Sequence, residues 1–592
     1  PVPSPAPLPQ HQTPLPPTSA RPAGSRWAYA FLIDIAVFVS VFAVIFGVYS
    51  IGRSWLGPVR AESEISQDPR SLPLYALFSL VRILVAYALS LVFALAYGYT
   101  AAKWRRAEII LIPLLDILQS IPVLSFLPGV MLAMVALFPS RQLGVELGSI
   151  ILIFTGQVWN IAFSFYSSLK TIPRDLREAA IIYRFSAWQR FLELDLPFST
   201  IGLVWNSMMS VAGGWFFLMA CEMFVLGDKD FRLPGLGSYL QTAAGHGNTR
   251  AMLWGLAAMV AVIVLMDQFI WRPVITWADK FKFEQVESAA GAQNSILNFI
   301  RRESFLIRFY RSILHPVVEW LTLQFAKGAK RAAATIKANP AAKPRGWYGW
   351  VFAALAGIAL IYGVSRAVAE LARLHSEDYF ELLRSAGLTF LRVNLALIVG
   401  ALWTVPVGVA IGFSPRFARL MQPLVQLAAS IPATALFPVI LLFLIRLRGG
   451  VEIAAMALML LGTQWYILFN VIAGAMAIPT DLKEAASIFK FSSLDRWRYL
   501  ILPGIFPYLV TGMVTASGGA WNASIVAEYF HFQGRIVKAP GLGSTISSAS
   551  DAGRFDLLLA STLIMAVIVV LINRLLWRKL YRLASTRFKL ET

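Results

Sequence analysis

Charged residues are scarce in this sequence. Asp, Glu, Lys and Arg make up 14% of its 592 residues, whereas a soluble protein of ordinary composition carries roughly 25%. The hydrophobic share is 57%, and the mean hydropathy is +0.65. So few charges cannot cover the surface of a chain this long in water, which excludes an ordinary soluble protein. The composition predicts a protein whose main solvent is lipid.

Cysteine and histidine are also scarce. The chain has one Cys, Cys221, which lies inside an apolar run, and five His. A single Cys excludes an intrachain disulfide, and no Cys/His cluster has the spacing of metal ligands. The sequence contains no Gly-x-x-x-x-Gly-Lys-[Ser/Thr] loop, so the chain cannot itself cradle nucleotide phosphates. These absences exclude a self-contained enzyme, and we expect no catalytic residue, metal or cofactor in this chain.

Long apolar runs are abundant. A membrane-spanning helix needs about 20 mostly apolar residues, and such runs recur along the sequence. They fall near residues 28–52, 73–100, 108–138, 148–168, 199–224, 251–271, 348–369, 386–412, 419–446, 451–475, 504–527 and 556–577. We therefore predict an all-α integral membrane protein of about twelve transmembrane helices. The Pro-rich residues 1–26 have no apolar core, which predicts a disordered cytoplasmic tail and not a signal peptide.

Positive charge is in excess, and its position predicts the orientation. Lys and Arg outnumber Asp and Glu by 20, and the excess lies in loops such as residues 103–106 and 273–347. The loop after the first run instead carries Glu62, Glu64 and Asp68. Because basic loops stay in the cytoplasm, we predict a multi-pass protein of the bacterial cytoplasmic (inner) membrane with both termini inside. The same distribution favours a lipid bilayer, and no nucleic acid, as the partner.

The first six of these apolar runs and the last six form two sets that repeat each other. Ile-Pro-Arg-Asp-Leu-Arg-Glu-Ala-Ala begins at Ile172, and Ile-Pro-Thr-Asp-Leu-Lys-Glu-Ala-Ala begins 306 positions later at Ile478. The same offset relates Pro234-Gly-Leu-Gly-Ser to Pro540-Gly-Leu-Gly-Ser. Because each set has six runs, both halves enter the membrane in the same orientation, which predicts a parallel duplication. The predicted divisions are the tail (1–26), a first repeat (27–284), a cytoplasmic linker with an interfacial helix (285–345) and a second repeat (346–592).

The repeated Glu-Ala-Ala segments lie in basic loops after the fourth and tenth runs. An acidic residue after Pro favours the start of a helix, and Glu and Ala are good helix formers. Each segment therefore predicts a short helix that projects from the loop and can contact a cytosolic partner. With the Leu-x-Leu-Pro that ends at Pro197 or Pro503, the pattern resembles the EAA signature of bacterial ABC importer permeases. One departure is that Arg184 and Lys490 stand where the signature has Gly, which puts the usual geometry of that turn in doubt.

The resemblance implies a type I ABC importer permease fold. The Ser-Ile-Pro segments at Ser120 and Ser430, the early Arg82 and Arg392 of the second runs and the Gly-Leu-Gly loops resemble the nitrate, taurine, sulfonate and bicarbonate branch, and the duplication resembles its fused subgroup. In that family the short helix sits in a groove of an ATPase. Two such loops imply two cytosolic ABC ATPase subunits, which hold ATP and Mg, and the family also uses an extracytoplasmic solute-binding protein. The residues implied in ATPase coupling are Asp175, Glu178, Ala179, Ala180, Asp481, Glu484, Ala485 and Ala486.

We therefore expect the chain to move a small anion into the cytoplasm by alternating access. Nitrate, bicarbonate, a sulfonate such as taurine and an organic carboxylate all remain open as the solute. The alternative is a secondary transporter of twelve helices in two parallel halves. That alternative accounts for the repeat, but it does not account for matching Glu-Ala-Ala loops.

Proline interrupts the third run of each half, at Pro122 and Pro128 and again at Pro432 and Pro438. Proline removes a backbone donor and kinks a helix. Irregular backbone at membrane depth is tolerated where it is buried or lines a cavity, so a packing kink and a solute pathway both remain open. Small residues beside Trp in the fifth runs allow helices to approach closely. The candidate pathway residues are Gln119, Ser120, Pro122, Trp215, Ser430, Pro432, Trp521 and Asn522.

Two charged residues lie inside the apolar runs of each half at matching positions. Arg82 and Arg392 lie in the outer part of the second runs, and Glu222 and Glu528 lie near the outer ends of the fifth runs. Charges within a membrane are functional by default. We expect an Arg–Glu pair in each half, which acts either as a structural salt bridge or as part of a gate that captures an anion.

Overall fold

The computed structural model is almost entirely helical in the residues that it describes. These are residues 65–138, 142–226, 229–281, 354, 358, 361–362, 365–532 and 535–587. Eight of the described helices are long and apolar enough to cross a membrane. The predicted tail, the whole predicted linker, the first apolar run and most of the seventh lie outside the described residues.

The described elements of the first half correspond to its second to sixth apolar runs. In chain order they are α1 (Leu72–Lys103), α2 (Arg105–Ser120), α3 (Leu127–Leu137), α4 (Leu143–Thr171), α5 (Arg174–Ile182), α6 (Ala187–Glu222), β1 (Val225–Leu226), β2 (Lys229–Asp230), α7 (Leu236–Gly245) and α8 (Thr249–Ala278).

The second half has the same order of elements. They are α9 (Ser376–Phe413), α10 (Pro415–Ser430), α11 (Ala433–Leu444), α12 (Gly450–Ala477), α13 (Thr480–Ile488), α14 (Ser493–Ala527), β3 (Tyr529–Phe532), β4 (Arg535–Lys538), α15 (Leu542–Asp551) and α16 (Phe555–Ala584). The one-to-one match confirms an all-α membrane fold built from two parallel repeats.

The duplication extends to irregularities of the backbone. One π-helical turn lies near the start of α6, at Phe191–Asp195, and another near the start of α14, at Arg496–Ile501. A second pair lies within α8 and α16, at Asp267–Trp271 and Asn573–Trp577. Such turns leave the regular hydrogen-bond ladder and are rare in ordinary helices, so their recurrence shows that the two halves share a detailed backbone plan.

The third run of each half is broken at one proline only. Ile121 and Ile431 are extended, as expected for a residue whose α conformation clashes with the following proline ring. The prediction that Pro128 and Pro438 also break the run is wrong. Pro128 lies in the first turn of α3, where its missing N–H has no helical partner to lose, and Pro438 lies inside α11 without ending it.

Each half packs around its fourth-run helix. In the first half α4 contacts α1 and α6 most extensively, and in the second half α12 contacts α9 and α14. The halves meet through the turn Val123–Phe126 against α14, through α11 against α6 and α7, and through β3 against α7. One cluster of buried apolar residues continues through both halves, so the two repeats share a core.

The ends of the molecule differ in structure. We call the end that carries α5 and α13 the short-helix end. The opposite end carries two antiparallel hairpins, in which Val225 pairs with Asp230 and Tyr529 pairs with Lys538, and we call it the hairpin end. The helices α6 and α14 run from one end to the other, so they connect the two kinds of site described below.

Candidate functional site

The short helices α5 and α13 present the same face to solvent. Proline precedes each helix at its N-cap, with an extended backbone that starts the turn. The second Ala of each Glu-Ala-Ala segment is buried against the neighbouring helices, and the first is half-buried. The four acidic residues are all exposed, and they are Asp175, Glu178, Asp481 and Glu484. Of the predicted coupling residues, the alanines therefore pack inward and the acids face outward.

A basic side chain ties each short helix to the membrane helix before it. In the first half, Arg177 Nη2 donates to the carbonyls of Leu169 (2.9 Å) and Lys170 (3.2 Å) at the end of α4. In the second half, Lys483 Nζ donates to the carbonyl of Ala475 (3.3 Å) near the end of α12. Terminal helix carbonyls lack helical partners and favour cations. These two anchors were not predicted, although the 306-residue repeat aligns them.

The turn after each short helix has a left-handed residue. Arg184 has φ 52° and Lys490 has φ 50°, and among the described residues they are the non-glycine positions with positive φ. Glycine adopts this conformation freely, whereas other L-residues meet a clash between Cβ and the backbone. The turn therefore has the geometry that glycine allows, although Arg and Lys occupy it.

The tip of each short helix is apolar and exposed. Ile182 is 77% exposed and Ile488 is 76% exposed, and each is followed by an exposed aromatic residue, Tyr183 or Phe489. Exposed apolar groups that cluster beside charged residues mark an interaction surface. Each tip has two such residues, and the two tips lie at matching places in the repeat.

The hairpin end of the first half contains a buried network around Arg82. Arg82 donates two hydrogen bonds to Glu146, from Nε to Oε2 (2.6 Å) and from Nη2 to Oε1 (2.7 Å). Its Nη1 donates to Glu222 Oε1 (2.8 Å) and to the carbonyl of Pro234 (2.8 Å). Arg82 and both carboxylates are almost completely buried, so one arginine binds two acids and also holds the Pro-Gly-Leu-Gly loop.

The second half repeats this network around Arg392. Arg392 pairs with Glu528 and Glu452, and its Nη2 donates to the carbonyl of Pro540 (3.2 Å). The predicted Arg–Glu partners thus lie together in both halves. Sequence reasoning missed the third members, Glu146 and Glu452, because they stand at the first turns of α4 and α12. Their separation of 306 positions was the available signal.

The glycines of the Pro-Gly-Leu-Gly loops allow the loops to close over these carboxylates. The backbone N–H of Gly237 donates to Glu222 Oε2, and that of Gly543 donates to Glu528 Oε2, each at 2.8 Å. A Cβ at Gly235 or Gly541 would collide with the carboxylate of its own half. These loops therefore need glycine because the backbone approaches the buried acid directly.

A comparison with family models identifies the chain. The model described as "Binding-protein-dependent transport system inner membrane component" matches residues 92–270 and again residues 404–583. The two matches together cover more than half of the sequence, one in each repeat. The chain belongs to this family.

Several curated relatives match segments of this chain. It is 28% identical over 182 residues to the taurine transport system permease protein TauC of Escherichia coli, which is 31% of this chain and 62% of TauC. It is 26% identical over 184 residues to the nitrate import permease protein NrtB of Leptolyngbya laminosa, which is 31% of this chain and 62% of NrtB. It is 28% identical over 137 residues to the bicarbonate transport system permease protein CmpB of Synechococcus elongatus, which is 23% of this chain and 48% of CmpB. The matched segments thus span less than two thirds of these relatives.

The predicted pathway residues of this chain differ from one another in their surroundings. Trp215 and Trp521 are completely buried in the core, and neither indole N–H has a hydrogen-bond partner in the described part of the chain. In this conformation both face protein and not an open cavity. Gln119 is exposed at the end of α2. Ser120 and Ser430 are the last residues of α2 and α10, and their side chains lie outside what is described.

Asn522 lies at the interface between the halves. The backbone N–H of Leu124, two residues after Pro122, donates to Asn522 Oδ1 (3.5 Å) across that interface. At the equivalent place in the other half, Phe216 stands where Asn522 does, and the buried hydroxyl of Thr434 after Pro432 has no partner in the described residues. The two broken runs therefore meet different side chains, and the interface is asymmetric.

Proposed function

We propose that this chain is the transmembrane permease subunit of an ATP-driven importer that moves a small anion into the cytoplasm. Both halves of the pathway lie in one polypeptide, and two ATPase subunits on separate chains hold ATP and Mg. An extracytoplasmic binding protein delivers the solute at the hairpin end. The family match supports the class of machine, and the taurine, nitrate and bicarbonate relatives support the class of solute.

The observation that carries this proposal is the matched pair of short helices. Each exposes two carboxylates and an apolar tip, and each is bonded to the end of a membrane helix by Arg177 or Lys483. A cytosolic protein that binds both tips can move α4 and α12 directly, because closely packed helices transmit displacement from one to the next. The twelve-helix secondary transporter offers no use for two such tips, so we prefer the ATP-driven importer.

The orientation follows from charge. The short-helix end carries basic residues such as Lys103, Arg105 and Arg106, which favours the cytoplasm. The hairpin end then faces outward, where a binding protein would dock, and the membrane is the bacterial inner membrane with both termini inside. The buried Arg–Glu networks lie at the outer end, where they fix the loops that such a protein would meet.

The test is a comparison of variants in the reconstituted complex. Glu178→Lys combined with Glu484→Lys reverses charge on both exposed acids of the coupling face and should reduce ATPase attachment and ATP-dependent uptake at least tenfold. Glu193→Lys reverses an exposed charge at the same end, outside the short helices, and serves as the matched control. Normal attachment and normal uptake in the double variant would refute the proposal.

A further inference from the structure

A cavity of about 120 Å³ lies between the two halves at the hairpin end. One wall comes from the first half, with Leu124 after the helix break and Gln241 on α7. The other wall comes from the second half, with Tyr529 on β3 and Ser550 and Asp551 on α15. A single water needs roughly 10–15 Å³ measured in this way, so the cavity has room for a small solute.

The polar lining of this cavity contains, among the described residues, one carboxylate, Asp551, and two buried atoms without partners. The buried Gln241 Oε1 and the buried Ser550 Oγ have no hydrogen-bond partner in the described residues. Asp551 Oδ2 accepts from the Tyr529 hydroxyl. Burial and the neighbouring Asp551 raise the pKa of Tyr529 above its ordinary range, so that hydroxyl stays protonated. Buried polar atoms without partners call for an explanation.

The nearest cations are engaged outside the cavity. Arg232 donates to Thr242 (3.1 Å), and Lys538 lies over the ring of Tyr529, 5.7 Å from its centroid. Neither side chain is among the described residues that line the cavity. A solute without an ammonium group, such as nitrate, would therefore face the Asp551 carboxylate with no basic side chain among the described lining residues.

Gln241, Ser550 and Asp551 are not duplicated at the equivalent positions of the repeat. The first half has Ala244 and Gly245 at the positions equivalent to Ser550 and Asp551, and the second half has Ser547 at the position equivalent to Gln241. The cavity thus holds one set of acceptors and not a symmetric pair. This asymmetry is expected for a site that takes one solute in one orientation.

We propose that this cavity binds the ammonium group of a zwitterionic solute, so that the transported anion also carries an amino group. An ammonium has three N–H donors, and the acceptors that line the cavity include Gln241 Oε1, Ser550 Oγ and the Asp551 carboxylate. The inference rests on the proposed importer function and narrows its solute to small amino sulfonates or amino carboxylates. Nitrate, bicarbonate and simple alkanesulfonates fall outside that class.

The test measures ATP-dependent uptake by the complete complex in proteoliposomes. The probes are taurine against ethanesulfonate, β-alanine against propionate, and nitrate and bicarbonate alone. We expect the amino member of at least one pair to enter at least tenfold faster than its partner without nitrogen. ATP-dependent uptake of nitrate, bicarbonate or a partner without nitrogen at an equal or higher rate overturns this inference and leaves the importer proposal standing. Absence of ATP-dependent uptake for every probe overturns both.

Variants locate the effect in the cavity. Asp551→Asn keeps an acceptor for the Tyr529 hydroxyl but removes the charge, and we expect it to lower uptake of the amino probe at least tenfold while assembly and ATP hydrolysis persist. Ser550→Ala should act in the same direction. Ser548→Ala is the matched control, since Ser548 Oγ donates to Ser544 O (2.6 Å) in its own helix and does not line the cavity. Unchanged uptake in both Asp551→Asn and Ser550→Ala would overturn the assignment.

Discussion

Glu146 and Glu452 occupy equivalent positions, but their environments differ. Glu146 is 2% exposed and Glu452 is 49% exposed, although each pairs with the arginine of its half. An ion pair that is open to solvent contributes about 0–1 kcal/mol. Removal of one member of a buried pair costs about 3–5 kcal/mol, because a charge is left without compensation. The two halves therefore offer a matched comparison at a single residue type.

We expect Glu146→Ala to destabilise the protein more than Glu452→Ala. The first change should cost about 3 kcal/mol, because Arg82 Nε and Nη2 would lose their buried acceptors on Glu146, although Glu222 still compensates the charge of Arg82. The second should cost about 1 kcal/mol or less. Thermal unfolding of the two variants in detergent, followed by intrinsic fluorescence, measures the difference. Equal shifts of the melting temperature would contradict the assigned difference in burial.

Arg184 and Lys490 hold the left-handed turns that follow the short helices. A non-glycine residue in this conformation costs roughly 1–2 kcal/mol, so Arg184→Gly should stabilise the turn locally by about 1 kcal/mol. Amide hydrogen exchange of residues 174–190 should then slow by roughly fivefold. Arg184→Ala is the control, because alanine meets the same clash and should bring no slowing. Faster exchange in the glycine variant would show that the arginine side chain stabilises the turn by other contacts.

At the scale of elements, the anchors Arg177 and Lys483 allow attachment of the ATPase to be distinguished from transmission of its movement to the membrane helices. Arg177 bonds the end of α4 through two carbonyls and lies on the side of α5 away from the exposed acids. Arg177→Ala with Lys483→Ala should leave the apolar tips available, so ATPase attachment should change less than threefold. Uptake should fall at least tenfold, because movement of the short helix no longer reaches the membrane helix.

The control for this change is Arg177→Lys, which gives the first half the residue that the second half already has at Lys483. Uptake by this variant should remain near that of the wild type. The informative measurement is the ratio of ATP hydrolysis to uptake in proteoliposomes. A double alanine variant in which attachment and uptake decline together would show that these residues support docking and not transmission.

Several elements followed from the sequence because their signals are local. Apolar runs gave the long helices, and Pro122 and Pro432 gave the breaks in the third runs. The partnership of Arg82 with Glu146 was missed because it depends on how α1 and α4 pack, and no local pattern records that register. The burial of Trp215 and Trp521 was missed for the same reason, since composition alone does not distinguish a residue at a helix interface from one that lines a cavity.

At the scale of the whole molecule, the asymmetry of the interface is the main departure from the repeat. Asn522 accepts a bond from the broken run of the other half, whereas Phe216 occupies its equivalent. The cavity between the halves takes its Ser550 and Asp551 from one side only. Each half therefore supplies different chemistry at matching positions, and two copies of either half could not reproduce the interface.

This asymmetry and the paired short helices predict the composition of the assembled transporter. One chain already presents both tips, at α5 and α13, and under the proposed function each tip would bind one ATPase subunit. We expect native mass spectrometry of the purified complex to give one copy of this chain with two ATPases. Each single variant, Glu178→Lys or Glu484→Lys, should still bind one ATPase subunit, whereas the double variant should bind ATPase more weakly than either single variant. A complex with two copies of this chain would contradict the prediction, because it would leave two of the four tips unoccupied or require four ATPases.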